Sequence, residues 1–106
     1  MKNALFVYVT VSDHAEAEKI GRAIVEARLA ACVNILGPIT SLYWWKEKVE
    51  HSQEYVLVAK TVEDRSEELI GKIKELHSYD VPCIVTLPIE NGNPDFLKWI
   101  QKETRT

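Results

Sequence analysis

Cys32-Val33-Asn34-Ile35-Leu36-Gly37-Pro38-Ile39-Thr40-Ser41-Leu42-Tyr43-Trp44-Trp45-Lys46 is fifteen residues of mostly β-branched, aliphatic and aromatic side chains, interrupted only by Gly37-Pro38. Such side chains favour a pleated backbone. A Gly-Pro pair inside the run fits a bulge or a bend. Extended at about 3.3 Å per residue the segment would reach about 50 Å, whereas an ordinary strand spans about 17–20 Å. Residues 46–53 read as a polar turn, and residues 54–61 return as a central strand built on Tyr55-Val56-Leu57-Val58-Ala59. The reading is a long hairpin that projects beyond its own domain. The pleat puts Tyr43 and Trp45 on one face of it and Trp44 on the other. A two-stranded ribbon is marginal in water and an aromatic edge invites pairing, so a partner subunit is its simplest cover. The alternative is that Gly37-Pro38 is a true loop, with the aromatics folded back onto their own core.

The elements around this hairpin follow from the same rules. Residues 5–11 read as a strand, closed by Ser12-Asp13. Asp13 and Glu16 form a capping-box pattern for a helix whose buried face is Ile20, Ala23, Ile24, Ala27 and Ala31. Glu18, Arg22 and Glu26 are spaced to pair along its other face. Asp64 with Glu67 predicts the cap of a second helix, with Leu69, Ile70, Ile73 and Leu76 inward and Tyr79-Asp80-Val81-Pro82 at its end. Residues 81–89 read as the last strand. Asn91-Gly92 is a turn, and Asn93-Pro94 starts a closing helix anchored by Phe96, Trp99 and Ile100. With right-handed crossovers, the order β-α-β-β-α-β gives two interleaved split βαβ units. The expected fold is α+β and ferredoxin-like, one domain over residues 1–106, with an antiparallel four-stranded sheet in the order 4-1-3-2 and a short C-terminal helix.

At 106 residues and 46% hydrophobic, the chain suits one core. A net charge of −3 with interspersed signs argues against nucleic acid and anionic membrane as partners. Cys32 and Cys83 lie far apart in apolar runs, which suits a reducing cytoplasm better than a disulfide framework. The apolar stretch of residues 4–11 is too short for a signal peptide, and nothing spans a membrane.

No Ser/His/Asp signature, paired-carboxylate motif or cofactor fingerprint is present, which predicts no catalysis and no organic cofactor. An acylphosphatase-like hydrolase would need an anion cradle and an arginine after the first strand. Ser12-Asp13-His14 puts a carboxylate there instead. An RRM-like sheet could stack bases on Phe6, Tyr8 and Tyr55, but the RNP1 pattern is missing. Glu54 and Lys60, at the two ends of the central strand, suit an anionic ligand or a buried ion pair, or simply solvated strand ends.

Arg28-Leu29-Ala30-Ala31-Cys32-Val33-Asn34-Ile35 resembles the signature of the CutA family between its first helix and second strand. Ser41-Leu42-Tyr43-Trp44-Trp45, Lys60-Thr61, residues 76–82, Leu87-Pro88-Ile89 and Gly92-Asn93-Pro94 resemble further family segments in family order. Two positions depart from the pattern: Glu47, where the family usually has Gly, and Ser78, where it usually has Pro. The resemblance implies a homotrimer built through the long hairpins, similar to the P-II signalling proteins. It also implies an association with tolerance to divalent cations, copper above all. In that reading Cys32 and His77 are the metal-ligand candidates, and Tyr43, Trp45, Glu54, Lys60 and Tyr79 line clefts between subunits. A P-II-like module binding a small metabolite in the same clefts is the alternative. Thiolate and imidazole do suit copper. Against this, free cysteine packs as a small hydrophobe, and a histidine at a helix end can sit against the C-terminal dipole without any ligand.

Overall fold

The computed structural model describes residues 3–105. Strand β1 (Ala4–Val11) is followed by helix α1 (His14–Glu26), the hairpin strands β2 (Cys32–Trp45) and β3 (Lys48–Val62), helix α2 (Ser66–Leu76), strand β4 (Ile84–Pro88) and helix α3 (Pro94–Glu103). The four strands form one antiparallel sheet in the order β2-β3-β1-β4, which is the expected 4-1-3-2 counted from the other edge.

The hairpin is longer than the sequence suggested. Residues 46–53 are not a polar turn: Lys46-Glu47 alone makes the turn, and β3 runs for 15 residues beside the 14 of β2. Gly37-Pro38, joined by a cis peptide bond, is a bulge inside a continuous strand and not a loop. Leu36 faces Val56 and Ile39 faces Glu54, so two β2 residues oppose the single residue Tyr55. That extra residue rephases the strand. Before it Cys32, Asn34 and Leu36 share a face; after it Ile39, Ser41, Tyr43 and Trp45 continue the same face. Gly37 is required there, because φ is +150° and a Cβ would lie 2.6 Å from the Tyr55 ring. The molecule measures 44 × 25 × 21 Å, its long axis being that of an elongated domain with a protruding ribbon.

One face of the sheet is covered by α1 and α2. Val7, Val9, Val11, Leu57 and Ala59 pack there against Ala17, Ile20, Ile24, Leu69 and Ile73. Each valine, leucine or isoleucine among them contributes about 1.5–3 kcal/mol on removal from water. The capping box of α1 forms, though Glu16 reaches back to Ser12 and not to Asp13: the Glu16 N–H donates to Asp13 Oδ1 at 2.8 Å, and Glu16 Oε1 accepts from the Ser12 N–H at 2.9 Å. The expected cap of α2 is displaced. A 3-10 turn, Glu63–Arg65, precedes the helix, so Asp64 lies within that turn and Arg65 occupies the cap position.

The opposite face carries Phe6, Tyr8, Val56, Val58, Asn34, Leu36, Val85 and Leu87 by alternation along the ladder. Helix α3 covers only its Ala4–Val62 end, through Ile100 and Leu97. Two sequence expectations change here. Phe96 and Trp99 do not anchor α3; they stack on each other in the open, with centroids 5.6 Å apart. Residues 81–83 are not strand, since Pro82 has no N–H to give the ladder, and β4 begins only at Ile84.

Candidate functional site

The loop that leaves α2 meets the start of α1 and the root of the hairpin, and a polar cluster forms where they join. Glu16 holds two segments together: Oε1 accepts from Ser12 N and Oγ, both at 2.9 Å, and Oε2 accepts from the Ser78 N–H at 2.8 Å. Burial raises its pKa, but the donors on Ser12 and Ser78 outweigh that and lower it from 4.5 to about 2. Beside it, Tyr79 Oη donates to Glu54 Oε2 at 2.6 Å. Burial first, then that bond and the negative charge of Glu54, push the phenol well above its ordinary value. Ser52 Oγ donates to Tyr43 Oη at 3.3 Å on the same face of the ribbon as Glu54. The structure thus groups Tyr43, Ser52, Glu54 and Tyr79, with Glu16 behind them. It leaves Trp45 at the hairpin tip, six β3 residues or about 20 Å from Glu54.

His77 lies at the C-terminus of α2 with its side chain fully enclosed. Its Nδ1 accepts from the Tyr79 N–H at 3.1 Å, so Nε2 carries the proton and donates to Thr10 O at 2.8 Å. Glu16 Oε2 is 4.0 Å from Nδ1. Both ring nitrogens are therefore occupied. Cys32 sits elsewhere: it faces Lys60 on β3, whereas Thr10 faces Val56, four residues or about 13 Å along that strand. Within one chain Cys32 and His77 do not meet, and among the described residues no group of three or more His, Cys, Asp or Glu side chains is arranged to hold a metal. The Cys32 thiol remains half-buried on the open face of the sheet, beside Lys60, whose ammonium group contacts Asn34 Oδ1.

The turn after β1, where an anion cradle would have to lie, is occupied by the carboxylates of Asp13 and Glu16. The Ser12 N–H and hydroxyl are spent on Glu16, and the Glu16 N–H is spent on Asp13. The three aromatics of the nucleic-acid alternative are also divided: Phe6 and Tyr8 are on the open face, while Tyr55 packs against the core and meets the His14 ring edge-on at 5.5 Å. Among the described residues no helix is long and apolar enough to cross a membrane.

The family model described as CutA1 divalent ion tolerance protein matches residues 5–103. The chain belongs to this family. The divalent-cation tolerance protein CutA of Archaeoglobus fulgidus is 42% identical over 97 residues, 92% of this chain and 94% of that protein. The protein of that name from Thermus thermophilus is 44% identical over 98 residues, covering 92% and 95%. The solved CutA1 structure from Oryza sativa superposes with a TM-score of 0.94 at 39% identity, over 98% of this chain and 95% of that one.

The geometry gives both departures from the CutA pattern a physical meaning. Lys46 and Glu47 have φ of 50° and 65°, the left-handed pair of a tight hairpin turn, and glycine at the second position would adopt that φ without steric cost. Ser78 supplies an N–H to Glu16 that proline lacks. Ser12, Glu16, Ser52 and Ser78 belong to the polar cluster but were not singled out as site residues from sequence. Only the Glu16 capping box carried a signal, and that signal was local.

Proposed function

We propose that the chain acts as a homotrimeric, non-catalytic protein of divalent-cation tolerance, copper being the leading cation, with ligand sites where subunits meet. The observation that supports this reading is the open sheet face together with the ribbon that continues it. Leu36, Val85 and Leu87 are at least half exposed there, and the Tyr43–Ser52–Glu54–Tyr79 cluster sits at the ribbon root. A second and third copy packed on this face would bury the apolar side chains and close clefts over the cluster, with Lys60 and Trp45 reaching neighbouring clefts. Self-association of this kind makes the chain its own principal partner and involves neither nucleic acid nor membrane. Free Cys32 and Cys83 suit a reducing cytoplasm.

Copper does not fit Cys32 with His77 inside one chain, for the reasons of distance and occupied nitrogens given above. Cys32 could serve only with donors from other copies, a thiolate site suited to a soft cation. The experiment is sedimentation of the protein together with equilibrium dialysis against Cu²⁺ for wild type, Cys32→Ser and His77→Gln. A trimer whose copper uptake falls in Cys32→Ser and not in His77→Gln is expected. A monomer overturns the assembly, and unchanged uptake in Cys32→Ser overturns the ligand. The P-II-like alternative rests on the same cluster and would show as binding of a small metabolite that Tyr79→Phe weakens.

A further inference from the structure

Four asparagines occur in the chain, at positions 3, 34, 91 and 93, and only Asn91 is followed by glycine. The other three are held in ways that oppose backbone attack on their side chains. Asn34 is inside β2, paired with Val58, engaged by Lys60 and followed by the β-branched Ile35. Asn93 precedes Pro94, which has no N–H, and its Oδ1 accepts from the Asp95 N–H as the cap of α3. The Asn3 side chain donates to Glu63 Oε2 at 3.1 Å, and its neighbour Ala4 is already part of β1.

Asn91 differs in each respect. It is exposed, lies in the connection between β4 and α3, and its Oδ1 accepts from the Gly92 N–H at 3.0 Å. The Gly92 nitrogen therefore rests against the very amide whose carbon it would attack, and glycine has no Cβ to screen the approach. We propose that Asn91 is a self-modification site, deamidating through a succinimide with water as the only co-reactant. Hydroxide removes the Gly92 amide proton, and the nitrogen lone pair forms a bond to Asn91 Cγ. The bond from Cγ to the side-chain nitrogen breaks, and ammonia leaves after taking a proton from water. Water then opens the ring at one carbonyl or the other, giving aspartate or isoaspartate at position 91, with no change in oxidation state.

The site lies at a structural joint. Upstream, the Ile89 N–H donates to Ala4 O at 2.9 Å; downstream, the Leu97 N–H donates to Asn93 O at 3.0 Å in the first turn of α3. Isoaspartate inserts the Cβ carbon into the main chain between these two anchors, and either product places a new carboxylate between Glu90 and Asp95. Helix α3 is seated by Ile100 and by the Arg28–Glu103 pair at 3.0 Å. Modification therefore loosens α3 from the sheet end that it covers.

The test is incubation of the folded protein at mildly alkaline pH beside a synthetic peptide of residues 86–98, followed by peptide mass analysis and methyl labelling with an isoaspartyl methyltransferase. The expected result is replacement of NH by O at Asn91, faster as pH rises, at a rate within about threefold of the free peptide, a small difference in barrier. Asn3, Asn34 and Asn93 should stay intact. Gly92→Ala is a sound control, because a Cβ there meets only the Leu97 side chain at 3.5 Å or more. It should slow the reaction by an order of magnitude or more. Protection of Asn91 by more than tenfold in the folded chain, or equal change at Asn34, overturns the proposal.

Discussion

Glu16 accepts hydrogen bonds from two segments far apart in the chain, Ser12 at the end of β1, four residues before it, and Ser78 beyond α2, 62 residues after it. Its folded pKa of about 2 lies below the ordinary 4.5, so its carboxylate contributes stability that is fully present above 4.5 and is lost as pH falls toward about 2. Partial screening by solvent keeps the contribution below that of a fully enclosed charge-assisted pair. Glu16→Gln should cost about 1–2 kcal/mol at neutral pH, with the deficit shrinking below the ordinary carboxylate range. Urea unfolding of both proteins at neutral and strongly acidic pH measures it, and an unchanged gap at acid pH would contradict the assignment. Half of this arrangement was legible in sequence, as the Asp13–Glu16 capping box. The Ser78 half was not, because it depends on where the chain returns after α2. For the same reason His77 read from sequence as either a metal-ligand candidate or a histidine set against the helix C-terminal dipole, whereas the fold spends both of its nitrogens on Thr10 and Tyr79.

At the scale of elements, the hairpin shows what pattern can and cannot convey. The length of its first strand followed from the run at Cys32–Lys46, and the bulge at Gly37-Pro38 was one of the readings that the chemistry of that pair allowed. The turn was drawn too long because Val49, His51 and Gln53 mix polar and apolar residues without the clean alternation of a half-buried strand. A ribbon exposed on both faces imposes no such alternation, and backbone pairing carries the strand to Lys48 regardless. The two-residue turn then forces both Lys46 and Glu47 to positive φ. Glu47→Gly should therefore stabilise the protein by about 0.5–1 kcal/mol, the left-handed strain of a side chain being worth more than the added freedom of the unfolded chain. Thermal unfolding of the variant should show a raised midpoint. A lowered one would mean that the Glu47 side chain makes a favourable contact in the assembled protein that offsets its backbone strain.

For the whole molecule, the decisive asymmetry is between the two faces of the sheet. One is sealed by α1 and α2, while the other is covered by α3 only at the Ala4–Val62 end. The bulge determines what the ribbon adds to each. It puts Tyr43 and Trp45 on the open face, while Leu42 and Trp44, 69% and 73% exposed, continue the helix side beyond the reach of either helix. Sequence alternation revealed that both faces were apolar, but the identity of the uncovered face required the register. If copies of the chain close over the open face, Leu36 and Leu87 on its two edge strands are central to the contact. Each has only its exposed half left to bury there, about 0.8–1.5 kcal/mol, and a carboxylate in its place would also have to be desolvated. Neither side chain packs in the core of its own chain, so the double variant Leu36→Glu/Leu87→Glu should keep its circular dichroism and sediment as a monomer while the wild type sediments as a trimer. A trimeric double variant would move the interface off this face and onto the Leu42–Trp44 side of the ribbon. That outcome would separate the Tyr43–Glu54–Tyr79 cluster from any subunit boundary.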